Sequence, residues 1–308
     1  MTQTTDFDVL ILGGGPAGIS ALLWSHSLGL RAALLEPATE LGGQMLQMFH
    51  RLYDYAGLPG LTGREMRDQF VAHLAELQLD YRVGCQLTEL QLAARQLRCN
   101  GVTLRARALI LATGARKRRL GIPGEEQFEM RGVSFSATRD HSLYAGKPVT
   151  VIGGGDSAVE NALILSRVCP QVTLVHHSEQ FRARPEWLNE AQHTANIRFI
   201  THAKPLAITG QTYAEWLLLE DVRTGQQQTL ATEGVFIRVG IAPNTESFAG
   251  QIALDEAGYL KTNDRQQTSL AGVYGAGDVC RPVCLSVASA VGQGALAAKS
   301  IAVWLRSA

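Results

Sequence analysis

Short, almost unbroken apolar runs that end in glycine punctuate this chain, and each opens a stretch with helical spacing. Phe7 to Leu12 (FDVLIL) is the first, the pattern of a parallel strand buried on both faces. A helix from about Pro16 to Ser27 and a strand from Arg31 to Glu36 follow, completing a βαβ unit. Gly63 to Leu77 has helical spacing, Leu87 to Leu104 alternates as an antiparallel meander would, and Ala108 to Ala112 returns to a buried strand. The opening pattern then repeats: strand Pro148 to Ile152, Gly153-Gly154-Gly155, helix Ser157 to Arg167 and strand Val172 to His176. Gly240-Ile241-Ala242-Pro243-Asn244-Thr245 reads as a linker, Gly272 to Asp278 as a strand ending in a turn, and Ser286 to Leu305 as a final apolar helix. Two dinucleotide units and a separate C-terminal piece imply one domain split in sequence. The expected boundaries are 1–118 with 244–308 for the split domain and 119–243 for the inserted one.

Composition narrows the classes of function. Of 308 residues, 28 are Lys or Arg and 28 Asp or Glu, so the net charge is zero and no basic stripe offers itself to nucleic acid. The uncharged stretch from Val9 to Leu30 raises a membrane span, but its glycines and Pro16 break it into strand, turn and helix. The opening MTQTTDFD holds acids and no base, unlike a secretory signal. Five cysteines, an odd number with no C-x-x-C spacing, fit a reducing cytoplasm rather than a disulfide framework. The scattered histidines form no metal-ligand pattern, and no hydrolase motif occurs.

Gly13-x-Gly15-x-x-Gly18 lies between strand and helix, and Glu36 ends the next strand 23 residues after Gly13. That combination is specific to dinucleotide binding: the glycines permit a tight turn, backbone approach to a pyrophosphate and close packing of helix on strand. The helix N-terminus faces the anion, and the carboxylate accepts ribose hydroxyls.

The motifs Gly13-Gly14-Gly15-Pro16-Ala17-Gly18, Glu36, Leu41-Gly42-Gly43-Gln44, Ala112-Thr113-Gly114, Gly153-Gly154-Gly155-Asp156-Ser157-Ala158 and Gly275-Ala276-Gly277-Asp278-Val279 occur in this order. In this the chain resembles the low-molecular-weight thioredoxin reductases over nearly its whole length. The resemblance implies an α/β fold with two Rossmann-like domains of three-layer ββα architecture, the FAD domain discontinuous, in a homodimer. It implies FAD held by Gly13, Gly15, Pro16, Ala17, Gly18, Glu36, Gly43, Gln44, Thr113, Gly114, Gly277 and Asp278. Asp278 would meet the ribityl chain; as a plain cap residue before a helix it would need no cofactor.

The second loop, Gly153-x-Gly155-x-x-Ala158, has the same local mechanics, and the resemblance implies NADPH there, on Gly153, Gly155, Asp156, Ser157, Ala158, His177 and Arg182. Its partner strand ends at His176 with no carboxylate for a free 2′-hydroxyl. Family members grip the 2′-phosphate with His-Arg-Arg and a third arginine; here the run is His176-His177-Ser178-Glu179-Gln180-Phe181-Arg182, in which only the last of those arginines survives, as Arg182. Weakened NADPH binding, no pyridine nucleotide, NAD, and a retained scaffold all remain open.

Thioredoxin reductases carry a Cys-Ala-Thr-Cys-Asp-Gly segment before the second loop. Here it reads Ser136-Ala137-Thr138-Arg139-Asp140-His141, and a hydroxyl and a guanidinium exchange no disulfide. Asp140 matches the proton-donating acid of those enzymes, or is a turn residue. Cys280 and Cys284, close after Asp278, are either buried thiols or a relocated redox pair. The basic run Arg116-Lys117-Arg118-Arg119 reads as a solvated interdomain loop or as a docking patch for an acidic electron carrier. Leu285-Ser286 replaces an Arg-Gln pair of the reductases, and Tyr53-Asp54-Tyr55-Ala56-Gly57 is similar to a segment of ferredoxin/flavodoxin:NADP reductases, which lack the dithiol. The expected protein is therefore an FAD-dependent oxidoreductase exchanging electrons between NAD(P)H and a small acceptor or a ferredoxin, flavodoxin or thioredoxin-like carrier. The alternatives are a ferredoxin-linked thiol/disulfide flavoenzyme and a non-catalytic flavin scaffold.

Overall fold

The computed structural model describes residues 4–48 and 51–307. The chain divides into two compact units, Met1–Arg116 with Ala242–Ala308, and Lys117–Ile241.

The sheet of the first unit runs Tyr81–Arg82, Ala32–Leu35, Thr4–Leu12, Val102–Leu111, Gln96–Cys99, Leu87–Gln91, with Val273–Gly275 parallel to Val102–Leu111. Alternation along Thr4–Leu12 sorts the core. Val9 and Ile11 face the helices Pro16–Ser27, Gly63–Glu76 and Val287–Ser307, while Leu10 and Leu12 face the meander and the segment around Phe248 and Leu260. All four are at most 1% exposed, so each contributes about 1.5–3 kcal/mol of burial. The result is helices, parallel sheet and antiparallel layer, in that order.

The second unit has a five-stranded parallel sheet, Val133–Ser134, Gly234–Ile237, Val149–Ile152, Val172–Val175, Ile197–Ile200. A three-stranded antiparallel sheet, Ala203–Thr209, Trp216–Asp221 and Gln227–Ala231, completes it. Every residue of Val149–Ile152 and Val172–Val175 is buried, which is why these strands read as unbroken apolar runs. Both units are thus Rossmann-like, with the parallel strand order turning at the strand that feeds the glycine loop.

Four expectations change. The third leg of the meander and the run Ala108 to Ala112 are one strand, Val102–Leu111, whose start pairs antiparallel with Gln96–Cys99 and whose end pairs parallel with Val273–Gly275. The run of turn formers at 240–245 contains a strand, Ile241–Pro243, paired with Ala115–Lys117. Turn-forming residues concealed it because two short edge strands need no apolar alternation. The basic run accordingly begins in a strand, and its side chains are partnered yet still solvated: Arg116 bonds Pro243, Asn244 and Glu246, Arg119 pairs with Glu129 at 2.7 Å and Lys117 is half-buried, while Arg116, Arg118 and Arg119 are exposed. Finally, Asp278 opens a single 3-10 turn, Asp278–Cys280, and the last helix begins only at Val287, where Ser286 Oγ accepts from Ser289 N.

Candidate functional site

Each unit offers a glycine loop at the carboxyl ends of its parallel strands, and the two are built differently. In the first, the backbone closes so tightly that side chains are excluded. An added Cβ at Gly13, where φ is +111°, would stand 2.3 Å from Ala112 O, and one at Gly18 would stand 1.9 Å from Gly13 O. Gly15 is the exception, since its Cβ would meet nothing nearer than Gly43 Cα at 4.0 Å. The Pro16–Ser27 helix that starts there has no side-chain cap and no acid in its first turn, so its free N–H groups and positive dipole end suit a phosphate.

Around that loop the polar groups are tied into one frame. Glu36 accepts from Gly14 N at 2.6 Å through Oε2 and from Ala38 N at 2.8 Å through Oε1, which leaves lone pairs on both oxygens for ribose hydroxyls. Gly42 N donates to Gly14 O at 2.8 Å, fastening the Gly42-Gly43-Gln44 turn to the loop. Gln44 Nε2 donates to Asp278 Oδ2 at 2.6 Å, and Gly277 N donates to Gln293 Oε1 at 2.7 Å. Burial pushes the Asp278 carboxyl up, against the opposing effect of the Gln44 hydrogen bond. Gly13, Gly15, Pro16, Ala17, Gly18, Glu36, Gly43, Gln44, Gly277 and Asp278 therefore share one cradle. Thr113 and Gly114 serve it indirectly: Thr113 Oγ1 donates to Asn244 O at 2.7 Å, Asn244 Nδ2 donates back to Thr113 O, and Asn244 N donates to Gly114 O. Asn244 was hidden in the turn-forming run.

In the second unit, Gly153 repeats the tight turn, with φ +143° and its Cβ position 2.2 Å from Arg238 O. Ala158 replaces the third glycine and is tolerated, fully buried. The strand end differs most. His176 is buried, its ring 4.3 Å from His177 and 5.0 Å from Phe181, and it lies so close over Gly154 that a Cβ there would meet Nε2 at 2.3 Å. Burial, then His177, pushes the imidazole down, so it is neutral at pH 7. Asp156, an acid in the first turn of the Asp156–Ser166 helix, accepts from Arg184 N at 2.7 Å and pairs with Arg184 Nε at 3.2 Å. Arg184 also lies 4.7 Å over the Trp187 ring. The spacing of Arg182 and Arg184 was the available signal for this second arginine. His177 and Arg182 are exposed beside the loop, with Arg182 N donating to Gly154 O at 2.7 Å; Ser157 is exposed at the loop's helix start.

The segment Ser136 to Asp140 forms a closed unit of its own. Ser136 Oγ caps the Ala137–Asp140 turn by accepting from Arg139 N. Asp140 is buried, accepts from Ser134 Oγ at 2.6 Å and is gripped by Arg139 through both oxygens. Burial alone would raise its carboxyl, but the Arg139 and Ser134 bonds outweigh that and hold it below the usual carboxylate range. It is an ion-paired anion at neutral pH, with no proton to donate.

The cysteines are all free thiols. Burial first, then the nearby Asp278 charge, pushes the Cys280 thiol up to about 12 against a hydrogen bond with Thr262. Cys284 is exposed, its Sγ 3.5 Å from Ser286 Oγ. A thiol protonated this firmly neither attacks nor leaves at neutral pH, which argues against the pair as a redox couple.

The cradle of the first unit fits a flavin dinucleotide: an uncapped helix end behind Gly15, a carboxylate with free lone pairs, and a buried Asp-Gln pair. Among the described residues no helix is long and apolar enough to cross a membrane. The chain is 35% identical over 307 residues to a thioredoxin reductase of Mycolicibacterium smegmatis, covering 99% of this chain and 98% of that protein. It is 31% identical to the thioredoxin reductase of Bacillus subtilis, over 98% of this chain and 95% of the other. Among solved structures, Lactococcus lactis thioredoxin reductase superposes with a TM-score of 0.84 at 32% identity, covering 98% of this chain and all of that one. Thioredoxin reductases of this kind bind FAD and use NADPH. With residues 7–294 matching the description of the pyridine nucleotide-disulphide oxidoreductases, the chain belongs to that family, within its thioredoxin reductase-like branch.

Proposed function

We propose that this protein is an FAD-dependent oxidoreductase that moves electrons between NAD(P)H and a small acceptor or a thioredoxin-, ferredoxin- or flavodoxin-type carrier, without a dithiol of its own. The observation that carries this reading is the Ser136 to Asp140 segment. Its hydroxyl and guanidinium are consumed in a cap and an ion pair at the positions where the resemblance places two sulfurs. FAD, when bound, supplies the two-electron chemistry.

The residues divide the remaining work. The N-terminal end of the Pro16–Ser27 helix meets the pyrophosphate, and Glu36, already oriented by Gly14 and Ala38, accepts the adenosine ribose hydroxyls. Gln44 and Asp278 fix each other, and Asp278 would then be the residue to hold the sugar alcohol chain. In the second unit the Gly153-Gly154-Gly155 loop, His177 and Arg182 receive the pyridine nucleotide. The neutral His176, and His177 and Ser178 where the family has two arginines, weaken that reception, because Arg182 alone is left to answer a 2′-phosphate.

Anaerobic titration of the FAD-loaded protein with NADPH and with NADH tests the proposal. Loss of the visible flavin band within seconds supports it. The same weakened strand end favours one other reading, in which a reduced protein carrier is the donor; full flavin absorbance after both nucleotides, with rapid loss on adding reduced ferredoxin, would establish that reading instead.

A further inference from the structure

Near the carboxyl ends of the second unit's Val133–Ser134 and Gly234–Ile237 strands stand two cations, Arg139 and Arg238, and Lys117 is fastened close by, since Arg118 N donates to Gly240 O at 2.9 Å. Arg238 directly follows the Gly234–Ile237 strand; its N donates to Ile152 O at 2.8 Å and its carbonyl lies over Gly153. It therefore stands beside the glycine loop, on the opposite side of the Val149–Ile152 strand from His176. Its Nη1 donates to Phe135 O at 2.7 Å, but Nε is buried and has no partner among the described residues. Lys117 is half-buried, makes no ion pair among the described residues, and is pushed down to about 8 by burial first and then by Arg238 and Arg139. Arg139 is the third cation, held on Asp140.

The carboxylates that face this group do not balance it. Asp140 is saturated by Arg139 and Ser134. Glu129 is paired with Arg119 at 2.7 Å, and Glu160, on the Asp156–Ser166 helix, is exposed and acts on Arg238 without an ion pair. A buried guanidinium N–H without a hydrogen-bond partner, as at Arg238 Nε, and a half-buried ammonium, as at Lys117, are costly to keep, and the cost falls when an anion binds beside them. Ligands of open α/β sheets bind in this crevice at the carboxyl ends of the strands.

We propose that Lys117, Arg139 and Arg238 form an oxyanion site that receives a carboxylate or phosphate of a ligand lying along the edge of the second unit's sheet. Arg238 lies across the Val149–Ile152 strand from His176, and cations there would repel the positively charged ring of an oxidised pyridine nucleotide and attract an anionic substrate group. All three residues lie in the second unit, so the site stands whether or not the flavin assignment does.

Calorimetric titration of the FAD-loaded protein with inorganic phosphate at pH 7 tests this, because the first glycine loop is then filled. One phosphate per chain is expected, with binding weakened about tenfold or more in Lys117→Met and in Arg238→Met, each of which loses a charge-assisted contact. Gly155→Glu, which fills the second loop with a carboxylate, should leave most of that binding. Loss of binding in Gly155→Glu alone would assign the phosphate to the helix terminus and overturn the proposal, as would the absence of saturable binding. A measurement without variants stands beside it. Acetic anhydride at pH 8 should modify Lys117 ahead of the other four lysines, and phosphate should protect it; modification indifferent to phosphate contradicts the site.

Discussion

The two glycine loops share one local pattern, yet the residues that support them differ. Glu36 orients on Gly14 N–H and keeps lone pairs free, whereas His176 lies neutral against Gly154. The first helix begins with no acid, whereas Asp156 brings one that Arg184 must neutralise. Glycine spacing fixes the shape of such a turn, but the residues one strand and one helix turn away decide what it binds.

The strongest way to break this comparison is to fill the two open glycine positions. Gly15→Val should fold, since its Cβ has room, and should weaken FAD by at least about a hundredfold, on the order of 3 kcal/mol, because a branched side chain stands in the path of the pyrophosphate. Flavin retained after ultrafiltration measures it. Gly155→Val, equally unobstructed, should keep the flavin and lose only the response to pyridine nucleotide. A yellow Gly15→Val protein would refute the assignment of the first loop.

Lys117→Met comes next. The folded value of about 8 lies below the ordinary 10.5, so in that window the unfolded chain holds the extra proton and stability rises with pH. At pH 7 the charge is a net cost of roughly 1–2 kcal/mol, discounted for the solvated part of the ammonium. The variant should therefore be more stable at pH 7, with the gain shrinking toward pH 10 in urea melts. Stability lost for ligand binding is the trade expected of a functional cation.

His176→Glu sharpens the contrast by giving the second strand end what the first has. It should shift the ratio of kcat/KM for NADH over NADPH upward by about fivefold, near 1 kcal/mol for a regained ribose hydrogen bond. An unchanged ratio would show that the strand end does not select the nucleotide. Cys280→Ala is the smallest change: with its thiol pushed up to about 12, turnover should stay within about a factor of two, and collapse of turnover would restore the relocated-thiol reading.

Much of this was legible in the chain itself. Unbroken apolar runs revealed the buried parallel strands, because burial on both faces leaves no polar alternation, and the Pro16–Ser27 helix lies where its proline and glycines place it. The site was legible where covalent neighbours build it, as at Gly13 to Gly18. It was not legible where distant segments meet. Asn244 against Thr113, Arg184 on Asp156, and Arg238 beside Gly153 are separated by 131, 28 and 85 residues, and only the fold joins them. The ion pairs of the basic run from Arg116 were hidden for the same reason, since its partners Glu246 and Glu129 lie elsewhere in the sequence.

A protein that works without a dithiol of its own stores electrons on its flavin alone. Anaerobic titration with dithionite, counting reducing equivalents until the visible band is gone and excess reductant persists, measures that store directly. The account requires about two electrons per FAD, the capacity of the flavin alone. Uptake of about four would reveal a redox-active disulfide and contradict it.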